Sequence, residues 1–492
     1  MPSRRINYIF IIPDGLRISG LYTWGLNFRK ITASCKLLFL NQDSPLPSDL
    51  AEGKDSRRLH SFDSHDVGKV AIALENFVKD LSPNPVIILP SVGNTSYAAS
   101  YKLLQRWEYR QNVQPVRVIG SIFGDQDNPF DVLEHYESSL SSLCGNSVRI
   151  VSRLKERFPH RTKDLFLWNA FVPAMPPAPS RKPDAPIRLL FAGRLDESAK
   201  KVSRLPKICR QLANLNTPFE MSIAGEGPEE ENLRQSISQL PATTRSSIYF
   251  LGALDPESLR KAFQTHQVFL LVSSTEGLPM AMLEAMAARL CPVAMEIPSG
   301  VSEIISHNRN GMLVPQEDYS AFAKCIARLS REPNNLEAMR NEARELVVRE
   351  YSAKKFKCLI RKEAERTLDT SSPKCRSKND YHEKQLRQIT DCCSSLKGTL
   401  AVWGGGMFGR KLTDRLIKLR QTVSVIFDKN PQFKGASYRQ IPYASPAECT
   451  LFALDSIIIG SADFSNEIKT EIESYFANID SKPPSIFLLD GK

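Results

Sequence analysis

Val268–Ala287 narrows the choice of fold for this chain more than any other stretch. Val268–Val272 is apolar without alternation, as expected for a strand buried on both faces of a parallel sheet. Gly277-Leu278-Pro279 breaks the chain direction, and the run from Pro279 to Ala287 is rich in helix formers. Pro279 suits the first helical turn, where its missing N–H leaves no bond unmade. Strand, tight glycine turn and helix leave free backbone amides at a strand end, where the helix dipole also favours negative charge. The turn therefore reads as an anion site. Glu276 precedes it, and Glu284 follows after seven intervening residues. At about 1.5 Å of rise per residue, Glu284 stands about 7 Å beyond Pro279 along the axis. A carboxylate accepts hydrogen bonds from several directions, which suits paired hydroxyls. A diphosphate at the turn, a sugar hydroxyl on Glu276 and a ribose on Glu284 fit the spacing. The segment alone also fits a plain α/β unit with Glu284 on a solvated helix face.

Its surroundings repeat the same grammar. Asn7–Pro13, Lys36–Leu40, Val86–Pro90, Val116–Ile122 and Val148–Ser152 read as strands with helical stretches among them. Val172–Pro186 holds six prolines in fifteen residues and reads as a linker. A second series follows: Ile187–Ala192, Phe219–Ala224, Ser247–Leu251, Val268–Val272 and Pro292–Met295, then a charged helical tail from Leu336 to about Leu368. Thr399–Trp403, Val423–Phe427 and Ser456–Gly460 are strands of a third unit. Strand–helix alternation of this kind predicts α/β architecture with parallel sheets.

Two further loops point to the same ligand. Gly193-Arg194-Leu195-Asp196 closes the Ile187–Ala192 strand, and Lys200 follows near a helix start. Arginine grips phosphate bidentately, and lysine supplies a mobile point charge. By itself Arg194 reads equally as a surface partner of Asp196 or Glu197. Ala224-Gly225-Glu226-Gly227-Pro228 is another strand-end loop. In open α/β sheets ligands bind beyond the carboxyl ends of strands, and all three loops are expected there.

These loops, the two glutamates and Pro298–Pro315 (PSGVSEIISHNRNGMLVP) resemble the retaining glycosyltransferases of family 4, the group-1 class that includes glycogen-synthase-like enzymes. The resemblance covers about residues 187–350 in order, spacing and flanking strands, and extends less strongly to Ile18-Ser19-Gly20-Leu21. It implies a GT-B fold, two Rossmann-like domains facing a cleft. Residues 1–175 are then the acceptor-side domain and 186–368 the donor-binding domain. A linker at 369–396 leads to a small Rossmann-like α/β domain at 397–492. The implied activity is transfer of a hexose-type sugar from a nucleotide-sugar donor to a glycan, polysaccharide-precursor or lipid-linked acceptor, without metal or cofactor. Arg194 and Lys200 would stabilise the departing diphosphate, Glu276 would hold sugar hydroxyls and Glu284 the ribose. Gly193, Gly225, Gly277, Leu278 and Pro279 would shape the donor site, and the backbone around Gly252 would take the base edge. Gly20 and Asp125 would face the cleft from the first domain, with Trp24 either stacking on a sugar or packing. Where the family often has a histidine, Gly120–Asp125 places Phe123. That departure keeps a second function in view, a nucleotide-sugar-binding regulator or scaffold with reduced turnover.

In the third unit Gly404, Gly406 and Gly409 satisfy G-x-G-x-x-G between a strand and a helix, with Asp428 after the next strand. No Tyr-Lys pair accompanies them, so a binding or docking module is favoured over use of NAD(P). The start, MPSRRINYIFIIPDGL, is interrupted by Pro13-Asp14 and reads as a first strand rather than a leader. Ten cysteines without C-x-x-C or zinc spacing suit a reducing, cytoplasmic setting. The net charge of +11 is concentrated at 351–400, with 12 Lys/Arg against 6 Asp/Glu. This points to a solvated helix face or to contact with anionic membrane at its inner side. Aromatics do not interleave the basic positions, so nucleic acid is not an expected partner.

Overall fold

The computed structural model describes residues 5–13, 20–32, 34–42, 46, 50, 56–60, 63, 66–91, 93–108, 114–182, 185–370, 398–404, 407–428, 435–459, 465–477 and 481–487. Two compact units emerge: Met1–Asp125 with Tyr136–Cys375, and Gln126–His135 with Arg376–Lys492.

The first unit contains two parallel sheets. Strands β1 (Asn7–Ile12), β2 (Cys35–Phe39), β3 (Ser56–Arg58), β4 (Val86–Leu89), β5 (Val116–Ile122), β6 (Ser142–Gly145) and β7 (Leu165–Leu167) form the first, in the order β3-β2-β1-β4-β5-β6-β7. Strands β8 (Ile187–Ala192), β9 (Phe219–Ala224), β10 (Ile248–Gly252), β11 (Val268–Leu271), β12 (Cys291–Met295) and β13 (Met312–Val314) form the second, in the order β10-β9-β8-β11-β12-β13. Strands β1, β2, β4, β5, β11 and β12 are buried along their whole length, which is why their sequences lack alternation. In both sheets the order reverses beside the first strand of the series. In the second, β11 therefore lies against β8, with Val268 opposite Leu189 and Phe269 opposite Leu190. Such a reversal opens a crevice at the carboxyl ends of the two strands, the usual ligand position of doubly wound sheets.

Three sequence expectations change. Val148–Ser152 is not a strand but the start of the helix Val148–Arg157. Ser147 caps that helix by accepting from the Ile150 amide at 3.3 Å, and Ile150 and Leu154 are buried one turn apart. A β-branched run only five residues long conceals that period. Pro279 stands one place before the helix Met280–Ala287, with φ −76° and ψ 86°, and its carbonyl accepts the Leu283 amide at 3.1 Å. The proline-rich stretch is strapped down rather than loose. Val172, Met175 and Ala178 are buried, the Ala178 amide donates to the Ala288 carbonyl, and buried Arg340 donates to the carbonyls of Ala178 and Pro179. Proline-rich backbone without its own ladder is satisfied here by neighbouring groups.

The second unit has one sheet, from β14 (Thr399–Trp403), β15 (Thr422–Phe427), β16 (Ser437–Tyr438), β17 (Ile441–Ala444), β18 (Ser456–Ile459) and β19 (Ser485–Phe487), in the order β16-β17-β15-β14-β18-β19. Among the described residues only the β16–β17 pair is antiparallel. Most of the expected 369–396 linker lies outside the described residues. No helix among the described residues is long and apolar enough to cross a membrane.

Candidate active site

Four strand-end loops converge beyond β8, β9, β10 and β11. The Gly193 amide donates to Ala224 O at 3.0 Å, Leu195 N to Glu226 O at 2.9 Å, and Gly225 N to Gly252 O at 2.7 Å. Gly225 is required twice over: its φ is +139°, and a Cβ there would stand 1.9 Å from the Gly193 carbonyl oxygen. Ser274 N donates to Ala199 O at 2.8 Å, which ties the loop after β11 to the loop after β8.

That tie brings Lys200 and Glu276 together. Lys200 Nζ donates to Glu276 Oε1 at 2.6 Å, and Ser273 Oγ donates to the same oxygen at 2.7 Å. The Lys200 stem lies over Gly193, its Cε 3.6 Å from where a Cβ would be. One ammonium N–H and one carboxylate oxygen are thus engaged. The remaining lysine N–H groups and Glu276 Oε2 stay available to a ligand.

Arg194 is exposed and has no ion pair among the described residues. Its two neighbouring acids are occupied locally. Asp196 Oδ1 accepts Ser198 Oγ at 2.9 Å, Ala199 N at 2.8 Å and Lys200 N at 3.1 Å, while Glu197 takes the Ser203 amide and hydroxyl at 3.1 and 2.6 Å. An unpaired guanidinium thus follows β8 at the reversal point.

Glu284 projects from the helix Met280–Ala287, whose Met282, Leu283, Ala285 and Met286 are buried. It is half-buried rather than solvated, and withdrawal from water pushes its carboxyl pKa up to about 7. Arg260 and Lys30 pull the other way without forming an ion pair with it. Gly277 and Leu278 amides donate to no protein acceptor among the described residues, leaving two donors beside Glu276. Leu278 and Pro279 are buried beneath this turn.

The first sheet contributes a wall. A Cβ on Gly277 would lie 2.0 Å from the Phe123 carbonyl oxygen, so the turn passes that backbone as only glycine can. Gly20 begins the helix Gly20–Ile31 and faces Met280, its Cβ position 3.9 Å from Met280 Cγ. Ile18 and Ser19 of the same motif lie outside the described residues. The Phe123 ring packs edge-on to Trp24 at 5.0 Å between centroids. Trp24 is 3% exposed, stacks on Phe28 and donates its indole N–H to Asn169 O at 3.0 Å. It is therefore a core residue, not a sugar platform. Asp125 is held by Arg149 Nε at 2.6 Å and Arg153 Nη1 at 2.9 Å, so its carboxylate serves the helix Val148–Arg157.

Sequence reasoning missed Ser273, Asn146 and Glu303. Asn146 Nδ2 donates to Phe123 O at 3.3 Å at the seam. Glu303, in the short helix Val301–Ile304, accepts the amides of Val148 and Arg149 at 2.8 and 2.7 Å. A carboxylate of the second sheet's half thus caps a helix of the first, where the helix dipole favours it. The one cue in the sequence is Ser147, a helix-capping residue type directly before Val148.

In the C-terminal unit Gly404 has φ +113°, and a Cβ on Gly409 would lie 1.7 Å from Gly404 O, so strand and helix approach closely. Asp428 follows β15, its amide bonded to Ala444 O at 3.1 Å, and Gly406 lies outside the described residues. Among the described residues no three His, Cys, Asp or Glu side chains are grouped to hold a metal ion.

Residues 177–346 match the family of glycosyl transferases group 1. The putative colanic acid biosynthesis glycosyltransferase WcaL of Salmonella typhimurium is 32% identical over 179 residues, 35% of this chain and 43% of that protein. The Campylobacter jejuni GalNAc-alpha-(1->4)-GalNAc-alpha-(1->3)-diNAcBac-PP-undecaprenol alpha-1,4-N-acetyl-D-galactosaminyltransferase is 28% identical over 157 residues, 32% of this chain and 42% of its own length. The chain thus spans less than half the length of the curated relatives it matches. Anabaena HepE, solved with UDP and glucose, superposes with a TM-score of 0.57 at 13% identity, covering 74% of this chain and 100% of that one. The two parallel sheets of the first unit therefore form a GT-B fold.

Proposed function

We propose that this protein is a retaining, metal-independent glycosyltransferase of family 4 type. It moves a sugar from a nucleotide-sugar donor to a glycan or polysaccharide-precursor acceptor, including lipid-linked ones. The observation that carries the reading is the meeting of Lys200 and Glu276 across 76 residues of chain, beside an unpaired Arg194 at the same strand ends. As the glycosidic bond breaks, the diphosphate gathers negative charge. Arg194, the free N–H groups of Lys200 and the amides of Gly277 and Leu278 meet that charge more strongly in the transition state than in the ground state, which accelerates the step. Glu276 Oε2 accepts a hydroxyl of the transferred sugar, and Glu284 accepts the ribose hydroxyls. The leaving phosphate oxygen takes the acceptor proton on the same face of the sugar. No cofactor takes part, and the C-terminal unit is a binding or docking module rather than a user of NAD(P).

A second reading, a nucleotide-sugar binder with reduced turnover, is favoured by the packed Phe123 ring and the doubly paired Asp125, which leave the first sheet's wall without a free polar group at those positions. A nucleotide-sugar panel screened by thermal shift identifies the donor, since a ligand of the native state raises its melting temperature. Donor hydrolysis and transfer are then measured for wild type, Arg194→Ala and Glu276→Ala. The reading expects wild-type turnover and its loss in both variants. Equal turnover in either variant refutes the site, and tight donor binding with no hydrolysis selects the second reading.

A further inference from the structure

The C-terminal unit carries an exposed surface at the end of one helix that is both apolar and basic. Its helix Met407–Lys418 buries Leu412 and Leu416 in a cluster with Leu400, Val402 and Ile426. Beyond that anchor, Ile417, Lys418, Leu419 and Arg420 are four consecutive exposed residues. The turn that presents them is closed: Leu419 N bonds to Arg415 O at 3.1 Å, Arg420 N to Ile417 O at 2.9 Å and Gln421 N to Leu416 O at 3.0 Å, with Arg420 at φ +61°. Two large apolar side chains, 41% and 43% exposed, are thus held outward between cations.

Charge reinforces the pattern. Residues 410–420 hold five Lys/Arg and one acid, Asp414. Lys411, Arg415 and Lys418 recur at helical spacing and share one stripe. None of these three, nor Arg420, has an ion pair among the described residues. Asp414 is neutralised from the β16–β17 hairpin by Arg439 Nε at 3.1 Å and accepts the Tyr438 hydroxyl at 2.9 Å. A groove of about 500 Å³ between hairpin and helix is lined by Asp414, Ile417, Lys418, Arg439 and Gln440.

A second basic helix, Ala353–Leu368, in the segment where the net charge is concentrated, lacks this combination. Its Lys355, Arg361 and Arg366 are paired with Glu350, Glu365 and Glu363, and it exposes no large hydrophobic side chain. A solvated face requires only charge. A membrane surface requires unpaired cations together with apolar side chains able to enter the headgroup boundary.

We propose that the Ile417–Arg420 tip docks this protein on an anionic phospholipid surface. Ile417 and Leu419 enter the headgroup boundary, and Lys411, Arg415, Lys418 and Arg420 face the lipid phosphates. The inference does not depend on the sugar-transfer reading, and vesicle binding tests it without any activity readout. The full-length protein is sedimented with vesicles of phosphatidylglycerol and phosphatidylcholine, or of phosphatidylcholine alone, at low and high salt. Wild type should bind only the anionic vesicles and be released by salt. Each neutralised cation should weaken partition about fivefold, so Lys418→Gln/Arg420→Gln falls about twenty-five-fold. Ile417→Asp/Leu419→Asp should fall at least tenfold while keeping the wild-type melting temperature. Wild type left in the supernatant with every vesicle overturns the proposal. So does retained binding in Ile417→Asp/Leu419→Asp, which would mark a mere polyanion patch. Loss of binding in Lys354→Glu/Lys357→Glu/Lys362→Glu, with the tip variants unaffected, would transfer the contact to the helix Ala353–Leu368 and also refute it.

Discussion

Glu284 gives a quantitative test of the donor site. Its carboxyl is pushed from 4.5 up to about 7 because burial withdraws it from water, while Arg260 and Lys30 only partly compensate. A carboxylate accepts both hydroxyls of a ribose best when ionised, since protonation turns one of its oxygens into a donor, and the ionised fraction of the free protein then sets the population that binds tightly. That fraction rises from about one-tenth at pH 6 to about nine-tenths at pH 8 for a pKa near 7. The donor should therefore bind about tenfold more tightly at pH 8 than at pH 6. Nucleotide-sugar diphosphates do not titrate in this window, so the change belongs to the protein. Stability moves in the opposite sense. Below pH 4.5 both folded and unfolded states hold the proton; between 4.5 and 7 the folded state keeps a proton that the unfolded state has lost. Stability from this group thus falls as pH rises through that window, by up to about 3 kcal/mol, since each tenfold change in proton affinity is worth about 1.4 kcal/mol. Glu284→Gln should be more stable than wild type at pH 8 by up to that amount, and nearly equal to it near pH 4. Its donor affinity should be weaker and flat with pH. Isothermal titration with the nucleotide sugar of largest thermal shift, from pH 6 to 8, checks the binding, and urea melts check the stability. Wild-type affinity constant within twofold across that range, or the same slope in Glu284→Gln, would refute the argument.

Three further outcomes are expected. Arg194→Ala should lower kcat by roughly 10²–10³ with an unchanged melting temperature, since the guanidinium makes no ion pair that folding needs; a large stability loss in a thermal melt would contradict that. Gly277→Ala forces a Cβ to 2.0 Å from Phe123 O, so urea titration should show a loss of about 1–3 kcal/mol together with reduced kcat/KM. Trp24→Ala should destabilise by about 3–5 kcal/mol through the cavity it leaves among Phe10, Phe28 and Phe123. A selective rise in acceptor KM at full stability would instead return Trp24 to the sugar site.

Much of the framework was legible because its cues are local. The strands β1, β8, β11 and β14 are short apolar runs that only a covered parallel sheet accommodates, and each is followed by turn chemistry within a few residues. The strand–turn–helix at Ser274–Ala287 was readable for the same reason, with its amides and its two glutamates set by covalent spacing. Where the local cue was too short, it misled: Val148–Ser152 looked extended, yet Ser147 and the burial of Ile150 and Leu154 make it helical. Which charges are satisfied within the protein emerges only from tertiary packing. Asp125 is consumed by Arg149 and Arg153, Asp196 by three local donors, and Glu303 by a helix end 155 residues away. Arg194 is left open, and Glu284 is raised toward neutrality. Electrostatic interaction depends on separation in space and on exclusion of water, neither of which chain order encodes. Chain order therefore set where amides and charged side chains could gather, and the fold selected which of them remain available to a ligand.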